Sequence, residues 1–265
     1  MEAQPILKWA GGKRWLVRQS PEIFPEKFEK YVEPFLGGGA VFFHLMPKQA
    51  LLSDLNRDLI EMYQAIKTDW ESVLTNLVEH QKHHCKEYYY SQRAIVPENI
   101  SERAARLLYL NRTCWNGLYR VNMKGGFNVP IGTKNTVILE TDDFENLSTV
   151  LSRVDLQVSD FEKSIDSAQK DDFVFVDPPY TVKHNMNGFI QYNENLFKWE
   201  DQVRLASSVE RAANRGAKVL VLNAHHDSIK ALYQQFDMIT LSRSNVLSGK
   251  SEFRGKFQEL AIRCW

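Results

Sequence analysis

The run Phe173-Val174-Phe175-Val176 has the length and β-propensity of a buried strand, and it stops at Asp177-Pro178-Pro179-Tyr180. Two prolines in succession lack the N–H groups that a β-ladder requires, so the strand cannot continue. Its tip therefore carries an acid, conformationally fixed carbonyls and an aromatic ring. Similar strand-like runs lie elsewhere. Tyr31-Val32-Glu33-Pro34-Phe35 leads into Leu36-Gly37-Gly38-Gly39, with a helix predicted from Ala40 to Met46. Ala50-Leu51-Leu52-Ser53-Asp54 also ends in an acid, and Leu156 to Asp160 reads as a weaker strand. Glu200 to Asn214 has helical spacing at Val203, Ala206, Val209 and Ala213, with Gly216 as its stop. Val219 to Leu222 and Leu260 to Ile262 complete the set. Strands alternating with helices predict a mostly parallel α/β sheet.

The spacing of these strands is uneven. A crossover between parallel strands needs far less chain than lies between Asp54 and Leu156. Residues 57–149 are therefore expected to form an inserted, mainly helical subdomain, with 1–56 and 150–265 forming the principal domain. The best helix of the insert runs from Ser101 to Arg112, with Ser101 as N-cap and Glu102 near the positive end of the dipole. Thr181 to Asn195, rich in Asn and Gly, reads as a mobile loop.

Composition sets limits. Hydrophobic residues make up 43% and charged residues 25%, as in a soluble globular protein. No run approaches the roughly 18 apolar residues of a membrane span, and the N-terminus has no signal-peptide core. Cys85, Cys114 and Cys264 are too scattered for a disulfide framework or a metal knuckle. A reducing, cytoplasmic setting is the simplest reading. Adjacent histidines (His83-His84 and His225-His226) diverge on helices and strands alike, so no metal is assigned. The formal net charge is zero, yet from Ser101 to Lys134 the only acid is Glu102 against Arg103, Arg106, Arg112, Arg120, Lys124 and Lys134. Such a stretch could face phosphates. A solvated helix face is the competing account, favoured for Arg103 and Arg106.

The glycine triplet between a strand and a helix lets backbone approach a ligand closely. Asp54, at the tip of the next strand, stands where such sheets place an acid on ribose hydroxyls. The order suits an adenosine-containing cofactor. The absence of G-x-G-x-x-G argues against NAD. Lys8-Trp9-Ala10-Gly11-Gly12-Lys13 hints at a phosphate loop, but Leu7 and Arg14 occupy positions where that motif requires Gly and Ser or Thr. Trp9 could cover an adenine or a sulfonium, or it could be core.

Taken together, these segments resemble DNA N6-adenine methyltransferases of the Dam type. The matching pieces are Lys8–Lys13, Glu33–Gly39, Ser53-Asp54-Leu55-Asn56, Leu110-Asn111-Arg112-Thr113-Cys114-Trp115-Asn116-Gly117-Leu118-Tyr119-Arg120, Phe127-Asn128-Val129-Pro130 and Asp177–Tyr180. The resemblance implies a Rossmann-like, S-adenosylmethionine-dependent methyltransferase sheet carrying an inserted helical DNA-recognition subdomain. It implies cofactor contacts from Trp9, Lys13, Asp54 and Asp177, a pocket shaped by Phe35, Gly37 and Gly39, and Asp160-Phe161 beside the cofactor adenine.

The tetrapeptide has a chemical reason. An aromatic amine is a poor nucleophile because its lone pair is delocalised into the ring. A carboxylate (Asp177) and a backbone carbonyl (Pro178) can accept its two N–H bonds and favour a pyramidal nitrogen, while Tyr180 stacks on the base. Transfer would be direct, and no Pro-Cys nucleophile is present. An adenine inside a duplex is out of reach and must be flipped. By resemblance, Trp115 wedges into the stack and Asn116 approaches the orphaned thymine. Leu118 and Pro130 touch thymine methyls, and Arg120 and Lys8 read guanines. Asn128 belongs to the same DNA-binding set, and Arg112 and Lys124 are expected at phosphates. These positions match those that read GATC.

One departure stands out. Where the family has an aromatic after the Asn-Val-Pro segment, this chain has Lys134, which trades a stacking contact for a phosphate contact and bears on flanking-sequence preference. Phe189 and Tyr192 could close over the flipped base. Other acceptors remain open: cytosine N4, whose enzymes more often carry Ser in place of Asp177, or RNA, which calls for 2′-OH readout. A catalytically idle DNA-binding protein is the third reading. The expected partner is double-stranded DNA, met by a monomer with no obligatory protein partner and no membrane, in a prokaryotic or phage setting that could be restriction-modification or replication-linked.

Overall fold

The computed structural model describes residues 3–122, 125–182, 197–244 and 256–265, with backbone alone at 243–244 and 256–257. Its strands are β1 (Tyr31–Glu33), β2 (Ala50–Asp54), β3 (Val154–Val158), β4 (Phe173–Val176), β5 (Lys218–Ala224), β6 (Asp237–Ser244) and β7 (Lys256–Cys264). They form a seven-stranded sheet in the order β3-β2-β1-β4-β5-β7-β6. Pairs β2–β3, β1–β4 and β4–β5 are parallel, whereas β7 runs antiparallel to both β5 and β6. The result is a Rossmann-like mixed α/β sheet. Strand order reverses between β1 and β4, and open sheets of this kind bind ligands beyond the carboxyl ends of the strands at such a switch. The segments starting at Pro34 and at Asp177 leave from those ends.

Two compact units make up the chain: 1–23 with 36–158, and 24–35 with 159–265. In the first, α1 (Arg14–Gln19), α2 (Ala40–Leu45), α3 (Arg57–His83), α4 (Lys86–Ala94), α5 (Ile100–Thr113) and α6 (Phe144–Leu151) accompany β2 and β3. Asn56 caps α3 by accepting from Leu59 N. The helix breaks at Asp69, whose carboxylate accepts from Ser72 N and starts the second half. Helix α5 is capped by Asn99 rather than Ser101, which is buried. Asn99 Oδ1 accepts from both Ser101 N and Glu102 N, so the cap lies two residues earlier than expected.

In the second unit, β4 is wholly buried, in keeping with its unbroken apolar run. Each such side chain contributes roughly 1.5–3 kcal/mol of burial. Helices α7 (Phe161–Asp166), α8 (Trp199–Asn214) and α9 (Asp227–Leu232) flank these strands. Gly216, at φ +90°, closes α8 as expected. Strand β3 ends two residues before the expected Asp160, because that carboxylate caps α7 by accepting from Glu162 N.

Candidate active site

In the first unit, Gly37 and Gly39 take φ values of +48° and +65°, which side chains rarely adopt. A Cβ on Gly37 would lie 2.8 Å from Trp9 Cδ1, so the indole rests directly on this backbone. Asp54 ties the loop to the end of β2. Its Oδ2 accepts from Gly37 N at 3.2 Å and its Oδ1 from Asn56 N at 2.9 Å. Burial pushes the Asp54 pKa up, and the backbone N–H bonds from Asn56, Gly37 and Leu55 oppose that rise. Tyr63 of α3 supports the loop from Gly38 O at 3.4 Å. Lys13 is buried and donates from Nζ to Gly11 O. The Trp9 ring stacks on Tyr119, with centroids 5.1 Å apart and planes 24° apart.

Residues 114–122 and 125–132 of the same unit form a turn, exposed at Trp115 and Asn116, and a pair of antiparallel segments. Asn116 and Gly117 are both left-handed, at φ +57° and +66°. This sharp turn leaves Trp115 54% exposed, which excludes core burial as its reason for being there. Isolated antiparallel bridges join Cys114 to Ile131 and Val121 to Phe127. Pro130 is exposed, and its carbonyl accepts from Trp115 N at 2.9 Å. Arg120 is exposed and held by Asn128. Its Nε donates to Asn128 Oδ1 at 2.7 Å, and Asn128 N donates to Arg120 O at 3.0 Å. Lys8, also exposed, has its pKa lowered chiefly by the nearby Lys134 ammonium, then by partial burial and Arg14. Lys134 is thus brought together with Lys8 as a cationic pair.

In the second unit, Asp177 follows β4, with Pro178 buried and Tyr180 half-buried. The Tyr180 hydroxyl donates to Glu259 Oε2 of β7 at 2.7 Å. Pro179 O accepts from Gln202 Nε2 at 3.3 Å, and Gln202 Oε1 accepts in turn from Asn223 Nδ2 at 3.0 Å. Gln202, Asn223 and Glu259 are fully buried, so the tetrapeptide is braced from α8, β5 and β7. Phe35 stacks on Phe161 at 5.4 Å and 23°, with Phe197 edge-on to Phe35 at 5.7 Å. Arg204 lies 4.1 Å above the Phe161 ring and forms a two-pronged ion pair with Asp160, at 2.7 and 2.9 Å. That ion pair holds the Asp160 pKa below the ordinary carboxylate value. Phe161 is only 2% exposed, so its ring supports Phe35 from within the core.

Residues 9–246 match the D12 class N6 adenine-specific DNA methyltransferase family. The chain belongs to that family. A type II methyltransferase of Lactococcus lactis subsp. cremoris, M1.LlaDCHI, is 37% identical over 98% of this chain and 94% of its own. The type II methyltransferase M.MjaIII of Methanocaldococcus jannaschii is 35% identical over 96% of each. The DNA adenine methylase of Escherichia coli K12 is 31% identical over 96% of this chain and 93% of its own.

This D12-class enzyme corrects one expectation about DNA contact. Arg112 does not face phosphates: it is buried, and its guanidinium pairs with Asp142 at 2.6 and 2.7 Å while donating to Val137 O and Ile6 O. Sequence spacing cannot reveal that Asp142 is its partner. Arg106 is likewise buried, donating to Gln92 O and Arg93 O, and Arg103 pairs with Glu61 at 2.8 Å, so neither is a plain solvated charge. Lys124, Phe189 and Tyr192 lie outside the described residues. Three histidines of the two adjacent pairs serve local bonding: His83 Nδ1 meets Glu79 O, His84 Nδ1 meets Tyr109 OH, and His226 Nδ1 caps α9. No helix among the described residues is long and apolar enough to cross a membrane.

Sequence reasoning missed Asn111, Tyr119, Gln202, Arg204, Asn223 and Glu259. Asn111 and Tyr119 stand inside a matched motif, which could have drawn attention to them. The other four act on the site through side chains brought from distant strands and helices.

Proposed function

We propose that this enzyme transfers a methyl group from S-adenosylmethionine to N6 of an adenine flipped out of duplex DNA, within GATC. The observation that carries the reading is the braced Asp177-Pro178-Pro179-Tyr180 tip, with Tyr180 fixed by Glu259 and Pro179 by Gln202. Acceptors held rigid before reaction stabilise a developing positive charge without reorganising. The Asp177 carboxylate and the Pro178 carbonyl accept the two N6 hydrogens, and the Tyr180 ring stacks on the base.

The donor groups suit an adenosyl cofactor. Asp54 offers a carboxylate for ribose hydroxyls. Gly37 and Gly39 provide backbone without a side chain in the way, and Trp9 and Phe35 provide aromatic faces. Lys13 and Asp160-Phe161 complete the set, Asp160 being oriented by Arg204 and Phe161 acting through Phe35. When bound, S-adenosylmethionine supplies a methyl on a sulfonium centre that a nitrogen displaces directly, so no covalent enzyme intermediate is required.

The largely helical stretch 57–149 serves as the target-recognition part. The exposed Trp115 fills the space left by the flipped base, with Asn116 toward the orphaned thymine. Arg120, oriented by Asn128, and Lys8 read guanines, and Leu118 and Pro130 meet thymine methyls. Lys134, set beside Lys8, contacts the backbone. The enzyme acts on DNA as a monomer.

The test is Asp177→Ala in a methyl-transfer assay with a GATC duplex, alongside binding of the same duplex. Transfer is expected to vanish while duplex binding persists. Retained transfer would overturn the catalytic assignment.

A further inference from the structure

Tyr119 sits in the chain between Leu118 and Arg120, yet its side chain is committed elsewhere. Its ring stacks on Trp9 at 5.1 Å, and Trp9 in turn lies against the Gly37 backbone. Its hydroxyl donates to Asp58 Oδ2 at 3.1 Å and comes within 3.5 Å of Asn56 Oδ1. Asn56 N donates to Asp54 Oδ1, the carboxylate that also holds Gly37 N. Phe127 meets the same ring edge-on at 5.9 Å, from the segment that carries Asn128 and Pro130. Two routes of direct contact, one aromatic and one hydrogen-bonded, thus run from the glycine loop and Asp54 to the backbone that presents Leu118 and Arg120.

We propose that Tyr119 is a positioning residue that couples occupancy of the cofactor pocket to base reading by Leu118 and Arg120. The inference rests on the functional reading above, in which Trp9, Gly37 and Asp54 hold the cofactor and Leu118 and Arg120 face bases. A ligand that fixes Trp9 and Asp54 fixes Tyr119 through ring and hydroxyl together. The main chain on either side of Tyr119 is then presented in one geometry. Coupling between two ligands is reciprocal, so a correctly read duplex must tighten the cofactor pocket by the same factor. The stack is the stronger element of the link, because it moves as a rigid plane, whereas the hydroxyl contacts are at the margin of solvent.

The test uses the full-length protein, S-adenosylhomocysteine as an unreactive probe and calorimetry with and without a saturating GATC duplex. In the wild type the duplex is expected to tighten the probe by about fivefold or more, the lower end of ordinary coupling. Tyr119→Phe keeps the stack and is expected to retain most of that ratio. Tyr119→Leu and Tyr119→Ala lose the ring and are expected to bring the ratio to one, with a matching fall in the preference for GATC over a singly altered site in kcat/KM. Because the ratio is taken within each variant, a uniform loss of active protein cannot produce it, and either folded variant decides. An unchanged ratio without the ring, or no ratio in the wild type, overturns the proposal. Failure of the underlying functional reading has another signature: the wild type would then not bind the probe or would not methylate the GATC duplex.

Discussion

The Asn111 side chain holds both main-chain polar groups of Lys8. Its Oδ1 accepts from Lys8 N at 3.0 Å and its Nδ2 donates to Lys8 O at 2.9 Å. The same Nδ2 reaches Gly117 O at 3.2 Å, and Asn111 is fully buried. One amide therefore fixes the N-terminal segment against the turn that carries Trp115 and Asn116. The turn must pass close: a Cβ on Gly117 would come within 2.6 Å of Lys8 Cδ.

Asn111→Asp keeps an acceptor for Lys8 N and removes the donor to both carbonyls. Leaving buried polar groups unpaired costs about 1–3 kcal/mol each, so thermal unfolding should shift down measurably. Turnover on a GATC duplex should fall by a larger factor than affinity for S-adenosylhomocysteine, since the lost bonds position Lys8 and the Trp115 turn, which are proposed to meet DNA. Equal losses in both would argue that Asn111 only stabilises the fold.

Gly37→Ala should weaken cofactor binding more than it weakens folding. Its φ of +48° disfavours a side chain, and the new Cβ would push into the Trp9 indole. Strained residues of this kind cost on the order of 1–3 kcal/mol, and the indole would have to leave its stack on Tyr119. Titration of S-adenosylhomocysteine against both proteins measures the effect directly.

Breaking the Arg112–Asp142 pair tests whether Arg112 is structural. Removing one partner of a buried ion pair costs about 3–5 kcal/mol, so Asp142→Asn should lower the unfolding midpoint sharply. The salt dependence of DNA binding by whatever remains folded should keep its wild-type slope. A slope reduced by about one, with stability intact in Arg112→Gln, is what a phosphate contact would give instead.

Stability should also depend on pH through His80. Burial, followed by the charges of Arg106 and His83, lowers its pKa to about 4 from 6.5. The ring stacks on Tyr109 at 4.7 Å, and its Nδ1 lies 2.8 Å from Tyr88 OH. The unfolded chain binds a proton below pH 6.5 while the folded chain resists it until about 4. Stability contributed by the neutral ring is therefore full above 6.5 and declines as pH falls toward 4. Unfolding free energies measured across that window should fall more steeply for the wild type than for His80→Gln, which carries no titrating group there. Parallel curves would contradict the assignment.

Much of this architecture was legible because strong local signals coincide with the site. The apolar run of β4, the Pro-Pro break and the glycine triplet each report a backbone requirement that few other residues meet. The antiparallel edge was harder. Among the described side chains of β6 only Leu241 is buried, so its apolar pattern is weak, and β7 extends well beyond Leu260–Ile262 on both sides. Helix α5 misled in another way. Arg106 and Arg112 read as surface cations, but their partners, the 92–93 carbonyls and Asp142, are set by tertiary packing. The braces behind the tetrapeptide, Gln202, Asn223 and Glu259, were invisible for the same reason. Trp115 was the opposite case, since sequence left burial open and its exposure resolves it.

The most direct measurement is transfer of labelled methyl from S-adenosylmethionine to two duplexes that differ only in carrying GATC or GTAC. Label is expected on adenine N6 of the GATC duplex alone. Equal labelling of both would contradict the base reading assigned to Lys8, Leu118, Arg120 and Pro130, and label on cytosine or on neither duplex would contradict the chemistry assigned to Asp177, Pro178 and Tyr180.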